Sequence, residues 1–382
     1  MTKSSLRSFQ SAQERRTYLK ETLNIPLEKI SEFSFDEAST VGRNIENLVG
    51  SIDVPLGVAG PITLKQDSIE HYIPLATTEG ALVASISRGC KAIVESGGAE
   101  VIVDEVGITR GPVFKTSGIK QSHLLVEWVH KHFAELATAC ESTSKYLKLL
   151  KIDPAIVGNN VYLRFYFDTS DAMGMNMATI ASEKAAELIE QETGAECVTL
   201  AGNYDIDKKP AWLNFSDGRG KRGWAEVLLP NAVIEQTLKT TAEEMADIVY
   251  RKCLLGSAMA GSMGFNAHYA NVVAAIFIAT GQDIAHVVEA ASGITTAEVV
   301  NDGDLLFQIY IPSLQLGTVG GGTWLPSQQE AMQILGVSGT GKVKKFTQLV
   351  LAAVLAGEIS LIASQAEGSL ARAHRKHGRN GK

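Results

Sequence analysis

The sequence predicts an α+β fold in which a large domain surrounds a long central helix and carries a smaller α+β insertion. Three observations lead to this prediction. Residues 233–262, "VIEQTLKTTAEEMADIVYRKCLLGSAMAGS", have a long helical pattern that ends in small residues, as a buried central helix would. Residues 112–199 alternate strand-like runs such as "VYLRFYF" with helical runs such as "IASEKAAELIEQ". A chain of 382 residues is also too long for one compact core.

The first part of the chain predicts an arm followed by strands and one close-packed helix. Residues 1–45 are polar and helical in character, with "PLEKISEF" as a short helix. From Glu46 onward, "ENLVGSIDVPLGVAGPITL" consists of short apolar segments interrupted by glycine and proline, which is typical of strands and tight turns. "GALVASISRGCKAIVESGG" then has helical spacing and mostly small residues, so it predicts a helix packed closely on all sides.

Two glycine-rich segments resemble phosphate-binding loops but lack the required context. "GRGKRG" at 218–223 lies between strand-like "PAWLNF" and strand-like "WAEVLLP", so it predicts a basic hairpin turn rather than a dinucleotide fingerprint. "GVSGTGKV" at 336–343 has Val343 where a P-loop needs a hydroxyl for magnesium, and it follows helical "QEAMQIL". It therefore predicts a loop that ends a helix, and an NTPase is kept as one alternative function.

Composition and charge are those of an ordinary soluble enzyme. Apolar residues make up 45% of the chain and charged residues 20%, and the net charge of -7 argues against a general nucleic-acid or anionic-membrane surface. The N-terminus has no apolar core of a secretory signal. The late apolar run "LVLAAVLAGEISLIAS" is interrupted by Gly357, Glu358 and two serines, so we expect no membrane anchor and a cytoplasmic protein.

The four cysteines predict neither disulfides nor a zinc site. They lie far apart in the chain, with no C-x-x-C pair and no H-E-x-x-H helix. The sequence therefore predicts a protein that works without a metal.

A third signal is dispersed along the chain. "TTEGALVAS" places Glu79 at the start of an apolar helix, and "DAMGMN" places Asp171 and Gly174 before another helix. "GNYDIDKKP" holds the adjacent Lys208 and Lys209, "GQD" places Asp283 after apolar "NVVAAIFIAT", and "GTVGGGT" and "ARAHRKHGR" follow. Considered alone, "GNYDIDKKP" could equally be a solvated charged turn.

Together these blocks resemble the 3-hydroxy-3-methylglutaryl-coenzyme A (HMG-CoA) reductase family, specifically the catalytic portion of its eukaryotic-like class. The resemblance begins at "ENLVG" and runs to about residue 380, whereas residues 1–45 match weakly. It implies reduction of HMG-CoA to mevalonate and CoA by two successive hydride transfers from a nicotinamide cofactor. The substrate carries CoA as its thioester group.

The resemblance also implies the domain organisation. Residues 1–45 form an N-terminal helical arm, residues 46–111 and 200–382 form a large substrate- and CoA-binding domain, and residues 112–199 form a small, ferredoxin-like nucleotide-binding domain. Family members are homodimers that share active sites between two chains, and some pair into tetramers. "ENLVG" matches a dimer-contact segment.

Four residues match the catalytic positions of the family. Lys208 is expected to stabilise the negative charge that each hydride drives onto the carbonyl oxygen. Glu79 is expected to donate a proton, Asp283 to hydrogen-bond into the lysine–glutamate network, and His374 to protonate the departing thiolate. From the residues alone, Glu79 could be an ionised acid near a helix start, Asp283 a helix N-cap, and His374 one more charge in a basic tail.

Other positions match residues that contact the substrate or the nucleotide. The substrate-contacting matches are Arg110, Asp207, Lys209, Lys252 and Asn271. The nucleotide-contacting matches are Ser144, Lys145, Tyr146, Asp171, Met173, Gly174, Met175, Asn176, Gly320 and Gly321.

The segment "STSKYLKLL" bears on the choice between NADPH and NADH. Ser144, Lys145 and Tyr146 stand where NADPH-dependent members have Ser-Arg-Phe. Lysine neutralises a 2′-phosphate but lacks the bidentate fork of arginine, so we expect a moderate preference for NADPH, with NADH also usable. The alternative is that Lys145 and Lys148 are solvated positions on a helix.

Two positions depart from the animal enzymes of the family. Ala201 stands where they have a serine that helps to bind the substrate carboxylate, and Asn380 stands at their regulatory phosphoserine. Control by phosphorylation there is therefore not expected. A non-catalytic module that binds CoA or a nucleotide is the second alternative, because it would need the glycines but not Glu79, Lys208 and Asp283 together.

Overall fold

The computed structural model of the chain describes residues 6–67, 69–301 and 303–377, without the side chains of residues 7, 30 and 368–377. Ten strands are found in these ranges, and eight of them form one antiparallel sheet. A separate hairpin pairs β1 (Leu56–Ile62) with β2 (His71–Ala76). The strands of the large sheet are β3 (Glu100–Arg110), β4 (Val113–Lys115), β5 (Lys148–Val157), β6 (Asn160–Asp168), β7 (Glu196–Thr199), β8 (Arg219–Leu229), β9 (Ile294–Val300) and β10 (Asp304–Leu314).

Helices cover the sheet and carry most of the connections. The α-helices are α1 (Ala12–Leu23), α2 (Glu37–Thr40), α3 (Leu82–Glu95), α4 (Ile119–Lys131), α5 (Phe133–Glu141), α6 (Met175–Thr193), α7 (Trp212–Ser216), α8 (Asn231–Val233), α9 (Ala242–Ile248), α10 (Ser257–Ala260), α11 (Tyr269–Thr280), α12 (Val287–Ala290), α13 (Pro326–Leu335) and α14 (Val343–His377). Short 3₁₀ turns lie at Leu6–Ser8, Lys29–Ser31, Asn203–Asp205 and Ile284–His286, and π-helical segments at Ile234–Leu238 and Val249–Gly256.

The insertion has the ferredoxin-like order of elements. The chain runs through β4, α4, α5, β5, β6, α6 and β7, and these strands pair in the order β7-β4-β6-β5. Its own hydrophobic cluster includes Phe114, Leu163 and Ala181 between the sheet and α6. The other large cluster contains the buried residues of α3, α11 and α14. The predicted α+β fold with a central helix and a ferredoxin-like insertion is confirmed.

The long central helix is α14. Its residues 343–367 are apolar and long enough to cross a membrane, but 89% of the apolar window is buried inside the protein, as expected for a core helix. A Cβ on Gly89 of α3 would lie 1.9 Å from the Ala356 carbonyl oxygen. The backbones of α3 and α14 therefore approach so closely that only glycine fits at this position. The expectation that Gly357 and Glu358 make this apolar run too short to span a membrane is wrong, because the helix containing both residues is long and apolar enough.

The prediction of a long buried helix over residues 233–262 is wrong. This segment is divided at Lys239, which has a φ of +59°, and the next helix, α9, is capped by Thr241. Beyond it, Tyr250 and Met259 are 51% and 87% exposed. The helical period was recognised correctly, but a period alone does not say whether a helix lies in the core.

The predicted hairpin turn at 218–223 is also wrong. Residues from Arg219 onward form the buried start of β8, and "PAWLNF" forms α7 rather than a strand. Buried Arg219 and Lys221 are tolerated because both find carboxylate partners. The loop predicted at 336–343 is confirmed, since it connects the end of α13 to the start of α14.

Candidate active site

The loop that carries the two lysines has an unusual backbone. Ile206 and Lys208 both have positive φ angles, of 53° and 56°, which non-glycine residues rarely adopt. The Lys208 Nζ lies 2.7 Å from an Asp283 carboxylate oxygen, with 38% and 35% of the two side chains exposed. Lys209 points elsewhere, and its Nζ donates to the Asp207 carbonyl oxygen at 3.0 Å. The loop therefore aims the two cations in different directions.

Asp283 is both a helix cap and the partner of Lys208. It begins the turn Ile284–His286, and its side chain accepts a hydrogen bond from the Ala285 N–H at 3.1 Å. Burial opposes ionisation of Asp283, but hydrogen bonds from Lys208 and Ala285 and nearby positive charge outweigh it and lower its pKa. Asp283 is therefore an ionised partner for a charged lysine at neutral pH.

Glu79 meets Asn271 rather than Lys208. The Asn271 side-chain amide donates to a Glu79 carboxylate oxygen at 2.7 Å, and the Glu79 N–H donates to the Thr77 hydroxyl. In the described ranges no hydrogen bond or ion pair joins Glu79 to Lys208. Glu79 is exposed in this chain.

Arg110 connects the loop to the insertion. Its guanidinium donates to a buried Asp205 carboxylate oxygen at 3.3 Å and to the Thr179 hydroxyl of α6 at 2.9 Å. Burial raises the pKa of Asp205, against the effects of the Asp207 N–H, Arg110 and Arg219. Lys252 is exposed, and the structure records no polar partner for it among the described residues.

The segment "DAMGMN" joins the insertion to the start of the central helix. The Asp171 carboxylate accepts hydrogen bonds from the N–H groups of Gly341, Lys342 and Val343 at 2.7, 3.1 and 3.2 Å. Those are the amides that a P-loop would direct at phosphates, so their engagement here argues against the NTPase alternative. The Thr318 N–H donates to the Asp171 carbonyl oxygen, which holds "GTVGGGT" alongside.

Gly174 allows the same segment to turn directly into α6. Its φ is +91°, and a Cβ there would lie 2.4 Å from Thr169 atoms. Met173 and Met175 pack on the core of the insertion, whereas Asn176 is exposed. Gly174 is the N-cap residue and has no side chain, so the first amides of α6 are left for another acceptor.

The remaining nucleotide matches lie on turns. Gly320 and Gly321 have positive φ, and the Gly321 carbonyl oxygen accepts from the Asn44 side chain at 3.1 Å. Ser144 accepts from the Tyr146 N–H, and the Lys145 Nζ lies 4.9 Å from the Tyr146 ring centre. The alternative that placed Lys145 and Lys148 on a helix is wrong, since Lys148 begins β5.

Sequence reasoning missed a buried polar network under the lysine loop. Arg219 is fully buried and donates to a Glu289 carboxylate oxygen at 2.9 Å and to an Asp207 carboxylate oxygen at 3.0 Å. Glu289 also lies 3.3 Å from the His286 Nδ1, and both side chains are fully buried. Two sequence signals could have indicated this network: an arginine in a glycine-rich motif, and a histidine and a glutamate three residues apart. Each of them is also common on solvated surfaces.

The same network contains the one metal-like cluster found among the described residues. One ligand atom each from Asp207, His286 and Glu289 lies within 4.8 Å of the others. Arg219 already brings positive charge to two of the three, so an ion-pair network explains the cluster without an ion.

Three predicted positions, His374, Asn380 and Ala201, take no part in the contacts described above. His374 lies in the helical stretch whose side chains are not described, and Asn380 lies outside the described residues. Ala201 is exposed, and its N–H donates to the Thr199 hydroxyl. A cavity of about 420 Å³ beside Trp224 and Tyr310 contains none of the predicted site residues.

Comparisons with known proteins show the family to which the chain belongs. The family description "Hydroxymethylglutaryl-coenzyme A reductase" matches residues 11–379. The chain is 49% identical to the 3-hydroxy-3-methylglutaryl-coenzyme A reductase of Methanothermobacter thermautotrophicus, over 96% of this chain and 92% of that protein. It is also 49% identical to the Pyrococcus horikoshii enzyme of the same name, over 96% and 91%.

A solved structure shares the fold at much lower identity. The class II reductase from Streptococcus pneumoniae, bound to NADPH in open conformations, superposes with a TM-score of 0.70. The match covers 94% of this chain and 98% of the other, at 19% sequence identity. At that identity the likeness supports the fold alone.

Proposed function

Because the chain belongs to the hydroxymethylglutaryl-coenzyme A reductase family, we infer that it reduces HMG-CoA to mevalonate and CoA. Two successive hydride transfers from a nicotinamide cofactor are needed, the first to the thioester and the second to the aldehyde that remains after CoA leaves. The observation that carries this inference in the chain itself is the Lys208–Asp283 ion pair on the lysine loop.

Lys208 is proposed to stabilise the negative charge that develops during both reductions. Each hydride adds to a carbonyl carbon, and the electron pair of the C=O bond moves onto oxygen. A cation held within hydrogen-bond reach of that oxygen lowers the barrier. The ionised Asp283, 2.7 Å from the Lys208 Nζ, pairs with the lysine and fixes its direction.

Two protons must also be supplied, and we assign them to different residues. The thiolate of CoA is a poor leaving group unless it is protonated, which is the role proposed for His374. Glu79, on the Asn271 amide, is proposed to donate a proton to an alkoxide. Because Glu79 is exposed in the single chain, a closed site needs cover from the substrate or from a second chain.

This requirement supports a homodimer that completes the site. Ile52 and Leu56, which follow "ENLVG", are 86% and 51% exposed, and Met259 near Lys252 is 87% exposed. Apolar exposure of this extent beside site residues is typical of a surface that another subunit covers. A tetramer built from two such dimers is the further step of this proposal.

The substrate carboxylate and the CoA portion need cations and amides. Lys209 is exposed, and its Nζ is bonded to a carbonyl oxygen of its own loop, so we propose that it turns toward the substrate carboxylate. We place Arg110, Asp207, Lys252 and Asn271 around the rest of the substrate.

The nucleotide is proposed to bind on the insertion, residues 112–199, with residues 46–111 and 200–382 holding the substrate and residues 1–45 forming an arm. The start of α6 fits a phosphate, because its amides are uncapped, its first turn has no acidic residue and Gly174 allows close approach. Lys145 is exposed and can reach a 2′-phosphate, which supports NADPH over NADH.

The class and location are narrower proposals. The eukaryotic-like class is proposed from the sequence blocks that carry the resemblance, such as "GNYDIDKKP" and "GTVGGGT". The buried position of the one membrane-length helix in the described ranges favours a cytoplasmic enzyme.

One assay tests the proposed function directly. Purified protein is given NADPH or NADH with HMG-CoA, and nucleotide oxidation, free CoA thiol and mevalonate are measured together. Two nucleotides should be oxidised for each CoA released. Acetyl-CoA, which lacks the carboxylate, serves as the control and should not be reduced. Binding of both ligands without oxidation would instead favour the non-catalytic module, and nucleotide triphosphate hydrolysis the NTPase.

A further inference from the structure

The lysine loop has a backbone that must be held in place. Ile206 and Lys208 both have left-handed backbone angles, and isoleucine is β-branched, so its φ of 53° is a clear outlier. Residues in such conformations persist only where surrounding contacts determine them. The loop therefore needs partners outside itself.

Those partners are buried side chains that lie outside the loop. A Glu289 carboxylate oxygen accepts from the Lys208 N–H at 2.7 Å, and the same oxygen accepts from Arg219 at 2.9 Å. Arg219 also holds the Asp207 side chain, and the Asn214 amide donates to the Ile206 carbonyl oxygen at 2.9 Å. Three consecutive loop residues are thus each tied to the interior.

The ties to Lys208 form a closed ring. Its main-chain N–H bonds to Glu289, and its Nζ pairs with Asp283. His286 lies between these two acids, with its Nδ1 3.3 Å from Glu289 and its Nε2 3.8 Å from Asp283. The backbone and the charged end of the lysine are therefore positioned by groups that share one buried histidine.

We propose that Glu289, fixed by Arg219, is a positioning residue for Lys208. This inference rests on the function proposed above. Glu289 positions Lys208 because its carboxylate oxygen is close enough to accept from the Lys208 N–H. The negative charge of Glu289 matters less, because Arg219 would still have the Asp207 carboxylate as an ion-pair partner. A displacement of about 1 Å at a reacting group is enough to lower a rate by roughly a hundredfold.

Two substitutions of Glu289 separate reach from charge. Glu289→Gln keeps the length and a carbonyl oxygen for Lys208 and Arg219, and its amide can donate to the His286 Nδ1. Glu289→Asp keeps the charge but withdraws the carboxylate by one methylene, about 1.5 Å. The control is Glu105→Gln, which removes the negative charge that pairs with buried Lys221. Lys221 lies on the same strand as Arg219, and in the described part of the chain neither Glu105 nor Lys221 is bonded to the loop.

If Glu289 acts by position, Glu289→Asp should lose more activity than Glu289→Gln. If it acts by charge, Glu289→Gln should lose more. Glu289→Asp should lower kcat by about ten- to a hundredfold with nucleotide KM nearly unchanged, whereas Glu289→Gln should stay within about threefold of the parent. Thermal unfolding of both variants should show a cooperative transition, as expected if they fold. Equal losses, a larger loss in Glu289→Gln, or near-parental kcat in both would overturn the proposal.

Hydrogen exchange gives a second readout that does not depend on turnover. The Lys208 amide should exchange slowly in the parent and in Glu289→Gln, and faster in Glu289→Asp, as measured on a peptide covering residues 203–209. Unchanged exchange in Glu289→Asp would also overturn the proposal. If the parent protein shows no HMG-CoA reduction, the proposed function fails, and the exchange experiment still decides whether Glu289 holds Lys208.

Discussion

Replacing Asp171 by alanine should weaken both folding and nucleotide binding, because this one carboxylate joins the nucleotide segment to the central helix. It accepts from three amides at the start of α14, and its own carbonyl oxygen holds Thr318 beside "GTVGGGT". The substitution leaves those amides to water and frees the segment that leads into α6. Gly174 and the first amides of α6 then lose their fixed direction.

The size of the stability loss follows from the contacts. Loss of a side-chain cap at a helix start costs about 0.5–2 kcal/mol, and loss of a negative charge there costs about 0.3–1 kcal/mol more. The sum is about 1–3 kcal/mol, and water access to Gly341 and Lys342, which are exposed, favours the lower half of this range. Asp171→Asn should lose part of this, since an amide cannot accept through both of its terminal atoms.

Urea unfolding without nucleotide and the KM for NADPH measure the two effects. The matched control is Asp36→Ala, which removes a carboxylate that caps the short surface helix α2 through the Ser39 N–H at 2.8 Å. It should lower the stability by no more than the cap itself contributes, about 0.5–2 kcal/mol, and should leave the NADPH KM unchanged. If Asp171→Ala matches Asp36→Ala in both measurements, Asp171 neither anchors the segment nor supports the nucleotide site.

Four further predictions test the site. Lys208→Ala should lower kcat about a hundredfold or more with a smaller change in KM, and near-normal kcat would end its assignment. His374→Ala should impair thioester reduction far more than reduction of added mevaldehyde, which has no thiolate to expel; equal losses would refute this role. The parent should favour NADPH over NADH by about five- to thirtyfold in kcat/KM. Lys145→Glu should remove that preference, because it should lower kcat/KM for NADPH much more than for NADH. The pKa of Asp283 in the folded state is below its ordinary value of 3.8. The stability that ionised Asp283 contributes should therefore be fully present above pH 3.8 and be lost as the pH falls through the folded-state pKa. When urea midpoints are measured from about pH 7 to about pH 3, Asp283→Asn should lack this part of the decrease at low pH, and a pH profile identical to that of the parent would contradict the prediction.

Local patterns predicted many elements correctly. Helical spacing identified α3 and α6, the apolar run "NVVAAIFIAT" forms α11, and "VYLRFYF" forms β6. These succeed because helix and strand periods are properties of neighbouring residues. The motifs around Lys208, Asp283 and Asp171 were likewise recognisable, because each is a contiguous set of residue types.

The choice of central helix depended on partners that lie far away in the chain. Residues 233–262 and 343–377 both have helical patterns, yet only the C-terminal segment becomes the core helix. Glu358 suggested that this segment is interrupted, but its carboxylate is satisfied by the Ala267 and His268 amides, about ninety residues earlier. A buried carboxylate is acceptable only when such donors meet it, and no local pattern reveals them.

The sequence by itself determined the family and the lysine loop, since both are recognised from short-range residue patterns. Only the tertiary structure decided what holds that loop. Arg219 reads as part of a basic turn until it meets Asp207 and Glu289, twelve and seventy residues away. The physical reason is that burying a guanidinium is unfavourable by itself and becomes tolerable only when the fold brings carboxylates to it.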